Sequence, residues 1–313
     1  MVLGRPDAET VSREVLRAFA GRVPGIADLP AKRPEHAAIA RVWLLGDEWV
    51  LRARTLGPST HGDFGRELGL VHRARPLLPW CLPMPVTTDD GRPCVVDRDS
   101  LWTLHRRIPG RVLCPWQELH RASDGDRRRL VEALKDLHVS TTGRFEPDDS
   151  GWFVREIGRR SAEVKNLLTP FAWRRFGQRL DRHRDVARRL ESHGTAFVHG
   201  DFHWGNLLVD DAGNISGMVD LDWCRVGSPL EDLGYTAMML GRDCETGRFA
   251  PEALDDAARW YGLPESLRDG FVSACTLYAV FDVHLFREAR DLPDRRRYLD
   301  VQVGMAEAIC RWE

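Results

Sequence analysis

The stretch that decides the fold runs from Phe197 to Asn206 and reads Phe-Val-His-Gly-Asp-Phe-His-Trp-Gly-Asn. It places Asp201 and Asn206 five residues apart, and His199 lies two residues before the aspartate. A loop of this kind can present an acid and an amide to one cleft. We therefore take Asp201 and Asn206 as the first candidate functional residues.

The residues that follow this loop predict a β-hairpin. Two short strands, Asn206 to Val209 and Ile215 to Leu221, flank a turn at 210–214 that contains glycine and asparagine. A hairpin returns the end of its second strand to the start of its first. Asp220, fourteen residues after Asn206, would therefore approach the asparagine.

The three side chains suit phosphoryl transfer. The amide oxygen of Asn206 and the carboxylate of Asp220 are the hard oxygen donors that Mg²⁺ accepts beside phosphate and water. Asp201 is not needed for the metal. It is free to orient or deprotonate a substrate hydroxyl.

The pattern on either side of residues 108–110 differs. Upstream we expect helices over 8–21 and 62–76 and a β-hairpin over 37–55. Further strands are expected over 83–88, 94–96 and 101–107. Downstream the apolar spacing predicts helices over 126–139, 153–168, 171–193, 229–240, 251–260, 265–289 and 294–311. The sequence thus predicts an α+β fold with a small β-rich N-lobe, 1–107, and a larger α-helical C-lobe, 108–313.

Composition excludes several classes. The 313 residues carry 45 basic and 47 acidic side chains, a net charge of −2, which argues against a nucleic-acid-binding protein. The longest apolar runs are shorter than the ~18 residues of a membrane span, and no signal-peptide pattern is visible. Seven cysteines without a C-x-x-C pair favour reduced thiols. We expect a cytoplasmic protein without nucleic-acid or membrane partners; its oligomeric state is not indicated.

Three segments in order carry a family resemblance: His-Gly-Asp-x-x-x-x-Asn at 199–206, Gly-Met-Val-Asp at 217–220, and Gly-Ser-Pro-x-x-Asp-Leu at 227–233. This array resembles the aminoglycoside phosphotransferase and choline kinase superfamily. The resemblance implies a bilobal protein-kinase-like fold. It also implies that Asp201 is the catalytic base or orients the hydroxyl, and that Asn206 and Asp220 hold Mg²⁺. Asp222 would support a second metal or the substrate, with an ordinary surface acid as the equal alternative.

The resemblance also assigns supporting roles. His199 would hold the loop by hydrogen bonds, and Asp232, on the following helix, would brace the loop backbone. Ser228 and Pro229 suit the N-cap and first position of that helix. We expect the His203-Trp204 pair to pack the loop rather than to contact substrate.

In the N-lobe the resemblance points to the strand Trp-Val-Leu-Arg at 49–52. Arg52 would neutralise nucleotide phosphates and Glu67 would pair with it, the alternative being a plain surface ion pair. The backbone at His105, Arg106 and Arg107 would read the adenine of ATP, with GTP as the alternative nucleotide.

Lysines are few, which narrows the choice of phosphate ligand. They number three among 45 basic residues, and none lies on the strand that ends at Arg52. The preceding segment, residues 32–38, has no glycine, and Lys32 within it is the alternative phosphate ligand.

The expected activity is ATP- and Mg²⁺-dependent transfer of the γ-phosphate to a hydroxyl of a small molecule, whether antibiotic, natural product or metabolite. The alternatives are a metabolite kinase of the homoserine, choline or sugar type and, in another class, a nucleotide-binding pseudokinase scaffold. A protein kinase is disfavoured because only eleven residues separate Asp220 from Asp232. Acceptor contacts are expected from 233–313, with 281–290 favoured; candidates there are Asp243, Glu245, Trp260, Tyr261, Tyr278, Phe281, Asp282, His284, Glu288 and Asp291.

Overall fold

The computed structural model describes residues 11, 13–34, 41–57, 60–112, 122–146, 152–190, 194–243, 248–288 and 295–312. The chain divides into two compact units. The first comprises Met1–Arg111 and Leu208–Val219, and the second comprises Val112–Leu207 and Asp220–Glu313. The boundary expected between residues 107 and 108 stays a prediction. The first unit here also takes in the 208–219 hairpin.

A five-stranded antiparallel sheet dominates the first unit. Its strands lie in the order β1-β2-β3-β5-β4, and its helices are α1 and α2. Their bounds are β1 Ala31–Lys32, β2 Arg41–Leu45, β3 Trp49–Thr55, β4 Val95–Asp97, β5 Ser100–Arg106, α1 Arg13–Arg17 and α2 Thr60–Ala74. Leu51 and Ala53 of β3 are buried in a core that includes Trp43, Phe19 and Leu104. Because side chains alternate along a strand, Arg52 and Arg54 share the opposite face.

Two expectations for this unit were wrong. Residues 83–88 do not form a strand, although Pro85 makes an isolated bridge with His105. Pro83 and Pro85 lack the N–H groups that a ladder requires, which explains the loss. The helix expected over 8–21 is confined, among described residues, to α1 and the turns that follow it.

The second unit is mainly helical. Its helices are α3 Asp124–Thr141, α4 Trp152–Ser161, α5 Pro170–Leu190, α6 Pro229–Gly241, α7 Glu252–Tyr261, α8 Arg268–Glu288 and α9 Arg295–Arg311. These match the predicted helices closely, except that 3₁₀ turns at Ala162–Leu167 and Glu265–Leu267 occupy parts of two of them. Leu130, Leu134 and Leu137 of α3 are fully buried, as their spacing indicates.

A short strand pair in this unit was missed from the sequence. β7 (Ala196–Val198) and β10 (Arg225–Gly227) pair antiparallel. β7 leads into the loop that begins at His199, and β10 leads into α6. The pair therefore fixes the start of the loop beside the start of that helix. Three residues per strand give little periodicity to recognise.

The predicted hairpin is present, but its second strand is shorter than expected. A small sheet has the order β6-β8-β9, where β6 is Arg111–Val112, β8 is Leu207–Val209 and β9 is Ile215–Met218. The predicted strand extended to residue 221, so Asp220 lies beyond the ladder. Among the described helices, none has both the length and the apolar character to cross a membrane.

Candidate active site

The loop at 199–206 is anchored from beneath by Asp232. Ser228 caps α6 and forms a capping box with Glu231, and Pro229 occupies the first turn. Asp232, which is fully buried, accepts hydrogen bonds from the backbone N–H groups of His199 and Gly200, both at 2.7 Å. The geometry is that of the brace expected for Asp232.

Two residues lie behind this brace: His138, which was not foreseen, and Tyr261, which was expected among the acceptor contacts. Nε2 of His138 lies 3.4 Å from Oδ2 of Asp232, and its Nδ1 lies 2.8 Å from the hydroxyl of Tyr261. Burial alone would raise the pKa of Asp232, but His138, His199 and the backbone N–H of His199 outweigh it and lower that pKa. The signal in the sequence is a histidine one turn after Leu134, on the apolar stripe of α3.

Within the loop, Asn206 locks Asp201 in place. The side-chain Nδ2 of Asn206 donates to the backbone oxygen of Asp201 at 2.9 Å and to its Oδ2 at 3.1 Å. The backbone N–H of Asp201 donates to Nδ1 of His199 at 3.2 Å, which gives that histidine the loop-holding contact expected of it. None of the described residues donates to Oδ1 of Asn206, so this oxygen is available to a ligand.

His203 makes its contacts within the loop, as expected of it, and one of them is with the candidate base Asp201. Its Nε2 lies 3.5 Å from Oδ1 of Asp201, and its Nδ1 accepts from the backbone N–H of Gly205 at 3.0 Å. Burial lowers the pKa of His203, but the carboxylate of Asp201 outweighs that effect and raises it. Trp204, its neighbour, is fully buried as expected.

Asp201 is an ionised carboxylate in a largely enclosed place. Its side chain is 27% exposed. Burial would raise the pKa of Asp201, yet His203 and the Tyr235 hydroxyl lower it below its usual value. The ring of Tyr235 lies 6.4 Å from that of His203, and this tyrosine was not foreseen. A carboxylate held charged and oriented can accept a hydroxyl proton.

Asp220 and Asp222 follow the hairpin. Asp220 has a φ of +62°, a left-handed conformation that is rare outside glycine, asparagine and aspartate. Its charge contributes to raising the pKa of His203, so it lies in the same neighbourhood. Asp222 is exposed, and its role as a second-metal or substrate ligand stays a prediction.

The close packing around Gly200 explains the glycine of the loop. Its φ is +83°, and a Cβ atom there would lie 2.6 Å from Cβ of Trp223. No larger residue fits without moving the loop. Glycine at this position thus permits the backbone of the loop to approach the segment after Asp220.

The donor set fits a magnesium ion that arrives with phosphate groups. In the part of the chain that the structure describes, no three or more His, Cys, Asp or Glu side chains converge as a metal cage. The candidate ligands are the available Oδ1 of Asn206 and the carboxylate of Asp220. Mg²⁺ commonly uses one or two protein ligands and completes its shell with water and substrate phosphate.

In the first unit, Arg54 forms a bidentate pair with Glu67, the glutamate expected to partner Arg52. Nη1 and Nη2 of Arg54 donate to the two carboxylate oxygens at 2.5 and 2.8 Å. Arg52 lies on the same face, opposite Thr103. Burial, Arg52 and Arg54 lower the pKa of His105 to about 3, so that ring is neutral. The pairing of Arg52 with Glu67 stays a prediction.

The residues expected to read adenine lie at the end of β5. Nη2 of Arg106 is 3.5 Å from Glu48, and both side chains are exposed. The backbone N–H of Arg107 donates to the backbone oxygen of Glu48 at 2.6 Å. Their contact with a nucleotide stays a prediction.

Several expected acceptor residues have partners inside the second unit. Asp282 is 4% exposed and lies 3.6 Å from Nη1 of Arg242; burial raises its pKa to about 6 against the effect of that arginine. The hydroxyl of Tyr278 accepts from Arg225 at 3.1 Å. Phe281 packs edge-on against Trp223. Glu245 and Asp291 lie outside the described residues.

A family model described as the phosphotransferase enzyme family matches residues 30–269. The chain belongs to this family. The resemblance drawn from the three motif segments is thereby confirmed, and the protein is a phosphotransferase. No curated protein matches it.

Solved structures confirm the kinase-like α+β fold of this phosphotransferase. The GDP complex of an aminoglycoside 2'-phosphotransferase-IIIa is 14% identical, with a TM-score of 0.65, and the match covers 96% of this chain and 99% of that one. A microcompartment-associated aminopropanol kinase is 15% identical, with a TM-score of 0.67 and coverages of 96% and 95%. An aminoglycoside phosphotransferase from Alicyclobacillus acidocaldarius is 14% identical, with a TM-score of 0.61 and coverages of 98% and 96%.

Proposed function

We propose that this phosphotransferase moves the γ-phosphoryl group of ATP, with Mg²⁺, to a hydroxyl of a small molecule. The observation that carries the proposal is that the nitrogen and the oxygen of the Asn206 amide have separate roles. Its amide nitrogen fixes Asp201, while its amide oxygen is left available for a metal ion. One side chain thus connects the base to the metal site.

Each residue has a defined task in this proposal. The acceptor hydroxyl hydrogen-bonds to Asp201, which accepts its proton as the oxygen attacks phosphorus. Asn206 and Asp220 would hold Mg²⁺, which neutralises charge on the phosphate oxygens when bound. Asp232 keeps the loop in place through His199 and Gly200. Such a site accelerates transfer mainly by positioning and charge neutralisation.

The nucleotide would be bound through its phosphates by the basic face of β3. Arg52 is the proposed phosphate ligand, and Arg54 with Glu67 holds that face in order. The aminoglycoside phosphotransferase named above was crystallised with GDP, which supports nucleotide binding as such. We assign ATP in preference to GTP on the family resemblance, and we place the enzyme in the cytoplasm.

The charge pairing in the region expected to contact the acceptor favours a metabolite kinase as the second candidate. A polycationic aminoglycoside needs an acidic strip, but Asp282 faces Arg242, and Glu163 lies 3.3 Å from Arg287. The guanidinium of Arg160 lies 5.9 Å from the ring centres of both Trp223 and Phe281, where a ligand ammonium would otherwise stack. A smaller hydroxylated metabolite with fewer charges does not require such an acidic strip.

The test is transfer of labelled phosphate from ATP with Mg²⁺ to a panel of aminoglycosides, amino alcohols, sugars and hydroxy acids. We expect Asp201→Ala to lower kcat by about 10²–10⁴-fold. Asp211→Ala, in the exposed hairpin turn, is the matched control and should keep full activity. ATP binding without transfer to any acceptor would favour a pseudokinase scaffold instead.

A second comparison separates the two candidate phosphate ligands of the first unit. We expect Arg52→Ala to raise the KM for ATP far more than Lys32→Ala does. Equal, small effects would show that the assignment of Arg52 is wrong, even if Asp201 proves essential.

A further inference from the structure

One face of α6 holds the backbone of the loop at 199–206 in two places. Asp232 binds the first two residues of the loop through their backbone N–H groups. One turn further along the helix, the hydroxyl of Thr236 donates to the backbone oxygen of Phe202 at 2.8 Å. The helix therefore fixes the chain immediately before and immediately after Asp201.

Tyr235 lies beside Thr236 on this helix and contacts the candidate base itself. Its hydroxyl is hydrogen-bonded to the side chain of Asp201. Every other residue from Leu230 to Gly241 is buried, whereas Tyr235 is partly exposed. The side chain of Asp201 is partly exposed as well. The pair therefore lies at an accessible edge of an otherwise buried helix.

The ring of Tyr235 is held in place by its neighbours. Its centre lies 5.1 Å from the ring of Tyr278 and 6.4 Å from that of His203, both within the range of packed aromatic pairs. Tyr278 is itself buried, and its hydroxyl accepts from Arg225 at 3.1 Å. The hydroxyl of Tyr235 thus has a defined direction relative to the loop.

The hydroxyl of Tyr235 can only donate to Asp201. Burial and the neighbouring carboxylate raise the pKa of Tyr235 well above its ordinary value, so the hydroxyl keeps its proton near neutral pH. An ionised carboxylate has acceptors and no donor. The contact is therefore a charge-assisted hydrogen bond, which is stronger than one between neutral groups.

The carboxylate of Asp201 needs such a second donor. Nδ2 of Asn206 donates to Oδ2 at 3.1 Å, whereas Nε2 of His203 lies 3.5 Å from Oδ1, which is longer than an ordinary hydrogen bond. A carboxylate held by one donor can still rotate about its terminal bond, because that torsion has a broad energy well. A second donor fixes the plane of the group.

We propose that Tyr235 is a positioning residue for phosphoryl transfer, whose hydroxyl fixes the carboxylate of Asp201 in the orientation that receives the acceptor hydroxyl. This inference rests on the proposed function, in which Asp201 is the base. The proton passes from the acceptor oxygen to Asp201, and Tyr235 keeps its own. Loss of the tyrosine hydroxyl would therefore slow the chemical step without weakening nucleotide binding.

The first experiment is steady-state kinetics of Tyr235→Phe in the full chain, with ATP, Mg²⁺ and the best acceptor of the panel. The variant keeps the ring and loses only the hydroxyl. We expect kcat to fall about tenfold, the effect of losing one hydrogen bond to a charged group. The KM for ATP should change by less than about twofold.

The matched control is Tyr298→Phe on α9, whose ring stacks on Phe286 at 6.1 Å. It removes the same hydroxyl group far along the sequence from the loop and should keep the parent's kcat. Thermal unfolding confirms that both variants are folded. An unchanged kcat in Tyr235→Phe would overturn the proposal, and so would a rise in the KM for ATP alone.

A double-mutant cycle distinguishes positioning from a general structural role. Once Asp201→Ala has removed the carboxylate, Tyr235 has no base to hold. Adding Tyr235→Phe should then lower the residual rate by less than about twofold. A tenfold loss in both backgrounds would show that Tyr235 acts independently of Asp201, which contradicts the proposal.

The outcomes also separate this inference from the proposed function. If Asp201→Ala abolishes transfer while Tyr235→Phe leaves kcat unchanged, only the role of Tyr235 is wrong. Transfer that survives Asp201→Ala, or no transfer to any acceptor, overturns the proposed function and this inference together.

Discussion

Two buried aspartates of the second unit, Asp232 and Asp282, have opposite pKa shifts. Both are under 5% exposed, so burial raises the pKa of each. Asp232 receives two backbone N–H groups at 2.7 Å, and its pKa falls below the usual value. Asp282 has an arginine nitrogen at 3.6 Å, and its pKa rises to about 6.

The difference shows that a buried carboxylate with several close partners, His138, His199 and two backbone N–H groups, keeps a low pKa, whereas one with a single arginine at 3.6 Å does not. Short hydrogen bonds to both carboxylate oxygens of Asp232 replace the hydration that burial removes. Arg242 contributes charge to Asp282 at a longer distance, which does not compensate fully for lost hydration. The structure therefore assigns Asp232 to holding the loop. Asp282 is a carboxyl group that changes charge near neutral pH.

Asp232→Asn should have the largest effect. The amide retains one acceptor oxygen but turns an NH₂ group toward an N–H or toward His138. We expect the free energy of unfolding to fall by about 3–5 kcal/mol, because a buried charged hydrogen-bond partner is lost. Activity should fall with it as the loop loosens. Urea denaturation and kcat measure the two effects, and a loss below about 1 kcal/mol would contradict the brace.

Asp282→Asn should change the pH dependence of stability. The folded pKa of about 6 exceeds the ordinary aspartate pKa of 3.8, which applies to the unfolded chain. Its contribution to stability is therefore fully present below pH 4 and is lost as pH rises through 6. The advantage of the parent over the variant should shrink across that range by roughly 3 kcal/mol at most. Urea denaturation at several pH values checks it, and a pH-independent difference would contradict the raised pKa.

The ion pair of Glu67 with Arg54 should contribute less to the free energy of unfolding than either buried aspartate. The side chain of Glu67 is 13% exposed and that of Arg54 is 17% exposed. A double-mutant cycle of Arg54→Ala and Glu67→Ala should give a coupling energy of about 1 kcal/mol, because solvent screens the pair. The same cycle with Arg52 should give less. A larger coupling for Arg52 would restore the pairing expected from the sequence.

Tyr261→Phe should have the smallest effect. It removes the hydroxyl 2.8 Å from Nδ1 of His138 but leaves the ring in place. We expect a loss of about 1 kcal/mol in the free energy of unfolding, typical of one hydrogen bond. Thermal unfolding measures it. A loss as large as that of Asp232→Asn would mean that the histidine, not the backbone, controls the aspartate.

The sequence was most informative where the chemistry is local. The loop at 199–206, the hairpin after it and the helix bearing Asp232 are all foreseeable, because their residues lie within one continuous segment. His138 and Tyr235 were not foreseen, because they reach the site through tertiary packing of α3 and α6. The choice between Arg52 and Arg54 also depends on where α2 lies, and strand periodicity alone places both on one face.

Missing backbone donors and long sequence separation explain the remaining differences between the predicted and the observed strands. Pro83 and Pro85 leave residues 83–88 apolar in composition but without donors for a ladder. The β7–β10 pair joins residues almost thirty positions apart, so no local sequence pattern predicts their pairing. Family resemblance identified the motif without either feature.

The left-handed backbone at Asp220 restricts which residues can occupy this position, independently of any role in metal binding. With φ at +62°, most side chains would strain the chain there before any question of metal binding arises. Glycine, asparagine and aspartate enter at little conformational cost, and among them aspartate alone brings a full negative charge. Glycine and asparagine are therefore the substitutions that this backbone conformation accepts most readily. An engineered asparagine at 220 would keep the shape of the site while lowering its affinity for the Mg²⁺ ion that we propose.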